Sequence, residues 1–309
     1  MKIAFITINF HSDEDTLSVV SQLEENKLPS GTKLVTYVVD NSKSNALRKG
    51  LHKYPHAIYL ESPGNVGFAA GNNIGFKRSL QDQADIVVLI NNDTIIPQDL
   101  IIKILNSPIT DQRVGLVGGL IYFAKGYEFE DQYQKDDLGK VIWYAGGRYD
   151  WDNVYASHIG VNEVDRGQWS QVIETDFITG CLFITRSDIL RNVGLFDERY
   201  CLYFEDSDLG LRIKKAGYKL MIDPQIKIWH KVAQSSGIGS PLNDYFLTRN
   251  RLLFGQTYAS FRTKFALFRE AIKKLIMGTP AQKIAIRDFF AHNFGWGSWN
   301  KKVTIPGKL

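Results

Sequence analysis

The chain has 309 residues, 44% of them hydrophobic, which suits one large α/β domain, or a domain with an appendage, around a sizeable core. Its two cysteines, Cys181 and Cys201, exclude a disulfide framework and a cysteine-rich zinc site, and read as small buried apolar residues in a reducing compartment. The net charge is +4, no apolar run approaches the roughly 18 residues that span a bilayer, and residues 2–10 are too short for a signal peptide, so the expectation is a cytoplasmic protein, either free or peripheral at the inner face of the membrane.

The first half alternates strands and helices. Residues 2–7 read as a buried strand, 16–25 as a helix, 33–39 as a strand ending at Asp40-Asn41, and 57–60 as another strand. A glycine- and asparagine-rich turn, GNVGFAAGNNIG at 64–75, opens a helix through Leu80, and the apolar run 86–90 ends at Asn91-Asn92-Asp93. This alternation predicts a mostly parallel sheet with helices on both faces, in which ligands sit beyond the carboxyl ends of the strands. Thr7 and Asn9, Asp40 and Asn41, and Asn91 to Asp93 are polar residues at three such ends; plain turns carry the same residues.

The second half is less regular. Residues 114–123, 141–149 and 172–185 look strand-like, 124–140 reads as a loop, and helical patterns return only after Asp206 and again from Asn243. The run SSGIGSP at 235–241 is either a segment that orders over substrate or a passive linker. From Tyr258 onward ten Lys or Arg face two acids, Glu270 and Asp288, interleaved with Phe261, Phe265, Phe268, Ile272 and Ile276 near helical spacing. That tail suits a membrane-surface helix and suits packing on the main domain equally.

Chemistry concentrates in YCLYFEDSDLGLR at 200–212, where Glu205, Asp206 and Asp208 crowd the start of a helix. Such acids either cap a solvated helix or form a site in which one carboxylate is a general base. Asp93 ends a buried strand with no basic neighbour in sequence, the presentation expected of a ligand for Mg²⁺ or Mn²⁺ on a diphosphate; His230 adds a nitrogen donor that suits Mn²⁺, and Trp229 beside it is a sugar platform or a core residue. The glycines at 64, 67, 71 and 75 match neither the dinucleotide fingerprint nor a phosphate-loop motif, which disfavours dehydrogenases and ATPases; Asn65, Asn72 and Asn73 donate to a sugar nucleotide or only cap the helix.

Taken in order, Thr7 and Asn9, Asp40-Asn41, GNVGFAAGNNIG, Asn91-Asn92-Asp93, Thr179-Gly180-Cys181, FEDSDLGLR, Trp229-His230 and Tyr245-Phe246-x-x-Arg249-Asn250 make residues 1–255 resemble the family 2 inverting glycosyltransferases of GT-A fold, closest to a rhamnosyltransferase-like branch that builds bacterial surface polysaccharides. The resemblance implies a Rossmann-like catalytic domain over 1–240, with a nucleotide-sugar half to about 123 and an acceptor half after it, and a C-terminal helical extension over 241–309. It implies Asp206 as catalytic base. Thr7, Asn9, Asp40, Asn41, Asn65, Gly67, Asn72, Asn73, Asn91, Asn92 and Arg249 would serve the donor, and Glu205, Thr179, Gly180 and Trp229 the acceptor, with Asp208 ordering the helix. Asp93 and His230 would hold Mg²⁺ or Mn²⁺; Asn91 stands where the family's DXD signature has its first Asp. The implied donor is dTDP-rhamnose, with UDP-hexoses or UDP-galactofuranose next, and the implied acceptor a glycan or lipid-linked glycan. A nucleotidyltransferase would show an N-terminal glycine-rich signature with Arg and Lys, absent from IAFITINFHSDEDT. A non-catalytic carbohydrate-binding protein is the other rival, and no nucleic-acid motif accompanies the basic tail.

Overall fold

The computed structural model describes residues 1–129, 133–232 and 239–300. Strands β1 (Lys2–Asn9), β2 (Lys33–Asp40), β3 (Ala57–Glu61) and β4 (Ile86–Ile90) lie parallel, joined through α1 (Asp13–Glu24), α2 (Asn45–Leu51) and α3 (Gly67–Gln81). Then come β5 (Thr94–Ile95), α4 (Leu100–Leu105), β6 (Val114–Phe123), β7 (Ile142–Tyr144), β8 (Gly147–Asp150), β9 (Tyr155–His158), β10 (Ile173–Glu174) and β11 (Leu182–Arg186). The chain continues through α5 (Ser187–Val193), α6 (Glu205–Lys215) and β12 (Lys219–His230) to α7 (Pro241–Tyr258), α8 (Phe261–Met277) and α9 (Pro280–Phe290).

The main sheet has ten strands in the order β10-β12-β6-β11-β4-β1-β2-β3, with β5 on β12 and β7 on β6. Every residue of β4 and β6 is buried, which is why they read as unbroken apolar runs: helices cover both faces. β11 enters antiparallel between β4 and β6, and β12 runs parallel to β6. The β12 ladder shifts register between Asp223 and Lys227, a bulge that accommodates Pro224, which has no N–H to give.

Three features differ from the sequence expectation. The run 141–149 breaks at Gly146, whose φ of +125° turns the chain, so β7 joins the main sheet while β8 pairs with β9 in a separate ribbon. The run 172–185 breaks at 175–181, placing β10 and β11 at distant positions in the sheet. Helices α2, α4 and α5 went unread because six or seven residues are too few to show a helical period. One apolar core runs from the sheet into Leu252, Phe254, Leu267, Ala271 and Ile286, so the helices after Pro241 are built on the same core. Among the described residues no helix is long and apolar enough to cross a membrane. Most of the 235–241 run lies outside the described residues.

Candidate active site

Strand register gathers the polar residues on one edge of the sheet. Asn9 pairs with Asp40 across β1 and β2, Asn91 N–H donates to Cys181 O at 3.0 Å, and His230 lies opposite Thr94 and Phe123. The ends of β1, β2, β4, β6 and β12 and the start of β11 therefore share one rim.

At the β1–β2 end the side chains form a closed network. Asp40 is fully buried and accepts from Asn9 Nδ2, Ser42 N and Oγ, Ser44 N and Tyr59 Oη at 2.6–3.0 Å. Burial opposes its charge, but the bonds from Ser42, Asn9 and Ser44 outweigh burial and hold its carboxyl below the ordinary range. Asn92 Nδ2 donates to Thr16 Oγ1, which donates to Asn9 Oδ1, so a chain of bonds joins three strand ends. Thr7, two residues below Asn9, is buried with its hydroxyl unpaired. A cleft of ≈ 650 Å³ opens beside this network between Ser12, Asp13, Asp15, Ser42 and Ser44.

At the β4–β12 end, His230 Nε2 lies 3.0 Å from Asp93 Oδ1. The short β5–β12 pairing makes this contact, because it sets Thr94 beside His230 and lets Lys231 N–H bond Asp93 O. Burial opposes charge on His230, and its neighbours Cys181 and Asp93 raise its pKa in spite of it; the Asp93 carboxylate is the effective one, since burial pushes the Cys181 thiol up and keeps it neutral. His230 Nδ1 is buried with no hydrogen-bond partner, and Asp93 Oδ1, also buried, has only His230 Nε2 beside it. A carboxylate beside an imidazole suits a divalent cation, Mn²⁺ better than Mg²⁺, with the imidazole giving up its proton when the ion binds. Among the described residues no group of three or more His, Cys, Asp or Glu side chains could enclose a metal, so such an ion would take further oxygens from a substrate. Trp143 packs edge-on against His230 with centroids 4.7 Å apart.

Between these two ends stands the start of α6. Asp206 is partly exposed; Gly180 N–H donates to its Oδ2 at 2.9 Å and Ser207 N–H to its Oδ1 at 2.6 Å. Burial raises its pKa above the usual value, and those backbone bonds only partly offset it. Glu205 is buried with Oε2 unpaired, and burial together with the Asp206 and Asp208 charges pushes its pKa well up. Asp208 bonds Arg212 and Tyr258, which leaves it a helix-ordering residue.

The loop before Glu205 is strained: Cys201, Tyr203 and Phe204 have φ of +64°, +66° and +74°. Each such non-glycine residue costs about 1–2 kcal/mol. The fully buried Asn250 and Arg249 hold it. Asn250 Nδ2 donates to the carbonyls of Tyr200, Leu202 and Tyr203 at 2.6–3.0 Å, and Arg249 donates to those of Arg199, Tyr200 and Gly295 at 2.7–3.2 Å. Hydrogen bonds from a charged group contribute about 1.5–3 kcal/mol each, enough to offset the strain. The Arg249 charge is relayed through the Tyr245 hydroxyl to Asp288. On the other side, Cys201 O accepts from Phe68 and Ala69 N–H at 2.9 and 3.0 Å, and a Cβ on Gly67 would lie 2.4 Å from Cys201 Sγ.

Several residues therefore stand elsewhere than the sequence suggested. Arg249 is not a free arm for the diphosphate but a fully buried clamp on the carbonyls of Arg199, Tyr200 and Gly295. Trp229 points to the opposite face of β12 from His230, as the strand period demands, and donates to Gly139 O while stacking on Tyr122; Trp143 is the aromatic beside His230. Asn73 bonds Phe196 and Glu198 and Asn41 bonds Gly67 O, so these two fasten α3, while Asn72 Nδ2 bonds Phe68 O within the helix and its Oδ1 is buried without a hydrogen-bond partner. Asn65 is exposed; its side chain accepts from Gly67 N–H and its carbonyl from Trp296 Nε1. The first turn of α3 seats the Cys201 carbonyl. Thr179 bonds Cys181 N–H and shapes the turn that carries Gly180. Trp143 and the Cys201 backbone carry no signal in the sequence, and Asn250, visible there as part of the Tyr245-Phe246-x-x-Arg249-Asn250 motif, shows nothing there of its hold on the 200–204 loop.

Solved structures share this architecture. A mannosyltransferase from Pyrobaculum calidifontis in complex with GDP-Man and Mn²⁺ matches with a TM-score of 0.54 at 15% identity, over 94% of this chain and 75% of that one. GalNAc-T7 with UDP, GalNAc and Mn²⁺ matches with a TM-score of 0.59 at 15% identity, over 94% and 58%. The fold is that of the GT-A glycosyltransferases. Residues 2–251 match the profile described as glycosyltransferase like family 2, and the chain belongs to that family. It is 25% identical to the N-acetylglucosaminyl-diphospho-decaprenol L-rhamnosyltransferase of Mycobacterium tuberculosis, over 65% of this chain and 67% of that protein. It is 33% identical to a low-salt glycan biosynthesis hexosyltransferase of Haloferax volcanii, over 69% and 62%. The chain thus spans about two thirds of the length of these curated relatives.

Proposed function

We propose that this glycosyltransferase moves a sugar, rhamnose first among the candidates, from a nucleoside-diphosphate sugar to a hydroxyl of a glycan or lipid-linked glycan, inverting the anomeric centre. One observation carries the reading: the 179–181 turn links the Asp93–His230 pair to the Asp206 carboxylate, with Asn91 N–H on Cys181 O and Gly180 N–H on Asp206 Oδ2, so a candidate diphosphate site and a candidate base stand on neighbouring segments. A relative named as an L-rhamnosyltransferase supports the sugar. UDP-hexoses and UDP-galactofuranose are the alternatives.

Asp206 takes the proton of the acceptor hydroxyl as its oxygen attacks the anomeric carbon, and the bond to the diphosphate breaks on the opposite face. Gly180 and Ser207 N–H fix the orientation of the carboxylate. Asp93 and His230 would hold Mn²⁺ or Mg²⁺ with the donor diphosphate; when bound, the ion neutralises the departing nucleoside diphosphate. Thr7, Asn9, Asp40, Asn91 and Asn92 frame the nucleoside end, and Glu205, Thr179 and Trp143 the acceptor end. Arg249 and Asn250 are positioning residues that act through the 200–204 loop.

The test is thermal stabilisation by a panel of nucleoside diphosphates and their sugars, with and without Mn²⁺. A ligand specific to the fold adds about 2.7 kcal/mol at roughly a hundredfold excess over Kd. The expected result is a nucleotide-selective shift that needs Mn²⁺ and disappears in Asp93→Ala. No shift with any nucleotide contradicts the reading.

A further inference from the structure

Helix α8 is amphipathic on the wrong side for a helix that only packs on its own domain. Thr263, Leu267 and Ala271 face the core. On the opposite face Phe261, Phe265, Phe268, Ile272 and Ile276, at spacings that keep one side of a 3.6-residue helix, are 87%, 58%, 50%, 42% and 73% exposed. An apolar strip of this size left in water marks an interaction surface. Its flanks are cationic. Arg262, Arg269 and Lys273 border one side, all exposed and, among the described residues, paired with no carboxylate; Lys264 borders the other. The one acid of the helix, Glu270, is taken up by Arg251 and Lys274 at 2.8 Å each. Beside the stripe a groove of ≈ 330 Å³ runs between α7, α8 and α9, lined by Leu252, Leu267, Phe289 and Phe290.

We infer that the outer face of α8 docks on an anionic bilayer surface, its phenylalanines entering the headgroup boundary and its Arg and Lys flanks meeting lipid phosphates. Charge selects this occupant over a second copy of the chain, because two copies meeting through the stripe would set the same cations against each other. The inference is independent of the proposed transfer reaction.

The test is flotation of the full chain with vesicles of phosphatidylcholine alone and of equimolar phosphatidylcholine and phosphatidylglycerol. Binding to the anionic vesicles is expected to exceed binding to the neutral ones by at least about tenfold and to weaken with salt. The triple variant F261E/F265E/I276E should remain unbound with an unchanged melting temperature, since it alters only exposed side chains, and R262S/R269S/K273S should lose the anionic preference. Failure of the wild type to float, equal flotation of the triple glutamate variant, or a dimer in solution that the triple variant dissolves while vesicle binding is absent would each overturn the inference.

Discussion

Two adjacent carboxyls, Glu205 and Asp206, show how position in one helical turn sets chemistry. Glu205 is raised by burial and by its acidic neighbours with nothing bonded to Oε2, so in the folded chain it binds its proton more tightly than in the unfolded one. That favours the fold below the ordinary carboxylate range and costs stability as pH rises through the folded value. Glu205→Gln is therefore expected to raise the melting temperature near about pH 8, with the gain shrinking as pH falls towards about 5. A gain independent of pH, or a loss at the higher pH, contradicts the assignment. Asp206 must be ionised to accept a proton, and its raised pKa predicts that kcat climbs with pH through a limb above the usual aspartate range; a flat acid limb down to that range contradicts this. Sequence spacing made Asp206, Asp93 and His230 visible, because each ends or opens a regular element. It could not show that Asp40 spends its carboxylate on Ser42, Ser44 and Tyr59, since Tyr59 arrives from a different strand.

The strained 200–204 loop is the element on which the site depends, and two partners hold it from opposite sides. Asn250→Ala removes three bonds to loop carbonyls and leaves those carbonyls buried, at a cost of about 2–4 kcal/mol on a scale of roughly 1 kcal/mol per bond plus desolvation. Chemical denaturation should read that loss. Kinetics should show a fall in kcat larger than any rise in donor KM, because the donor residues stand on other strands; an unchanged kcat would make the clamp purely structural. Gly67→Ala forces a Cβ to within 2.4 Å of Cys201 Sγ at a φ of +85°, and should destabilise by about 2–4 kcal/mol from strain and overpacking together. A neutral effect there would show that the loop shifts freely. The glycine-rich run was legible as a special backbone, yet its purpose was not: a positive φ reads the same whether a phosphate or a carbonyl approaches. Arg249 likewise reads as a free cation until the fold buries it among five acceptors.

Across the whole molecule, the parallel half followed from alternating apolar runs and polar strand ends, while the 141–185 region did not, because one apolar run serves two sheets or two distant strands there. The C-terminal helices also belong to the whole: they share the core, clamp the 200–204 loop through Arg249 and Asn250, and set Trp296 Nε1 on Asn65 O at the rim of α3. Composition showed that tail as basic and aromatic but could not apportion its aromatic residues between core and surface, since α8 carries apolar residues on both faces. The central claim is that Asp206 is the base of a sugar transfer from a nucleoside-diphosphate donor. Its most direct test compares wild type with Asp206→Asn, using the sugar nucleotide that stabilises the fold, Mn²⁺ and a panel of glycan and lipid-linked glycan acceptors, and following glycoside formation alongside donor affinity. The predicted result is an inverted glycoside from the wild type, a fall in kcat of about 10²–10⁴-fold in the variant, and donor affinity within about twofold. Transfer by the variant at a rate close to wild type would contradict it.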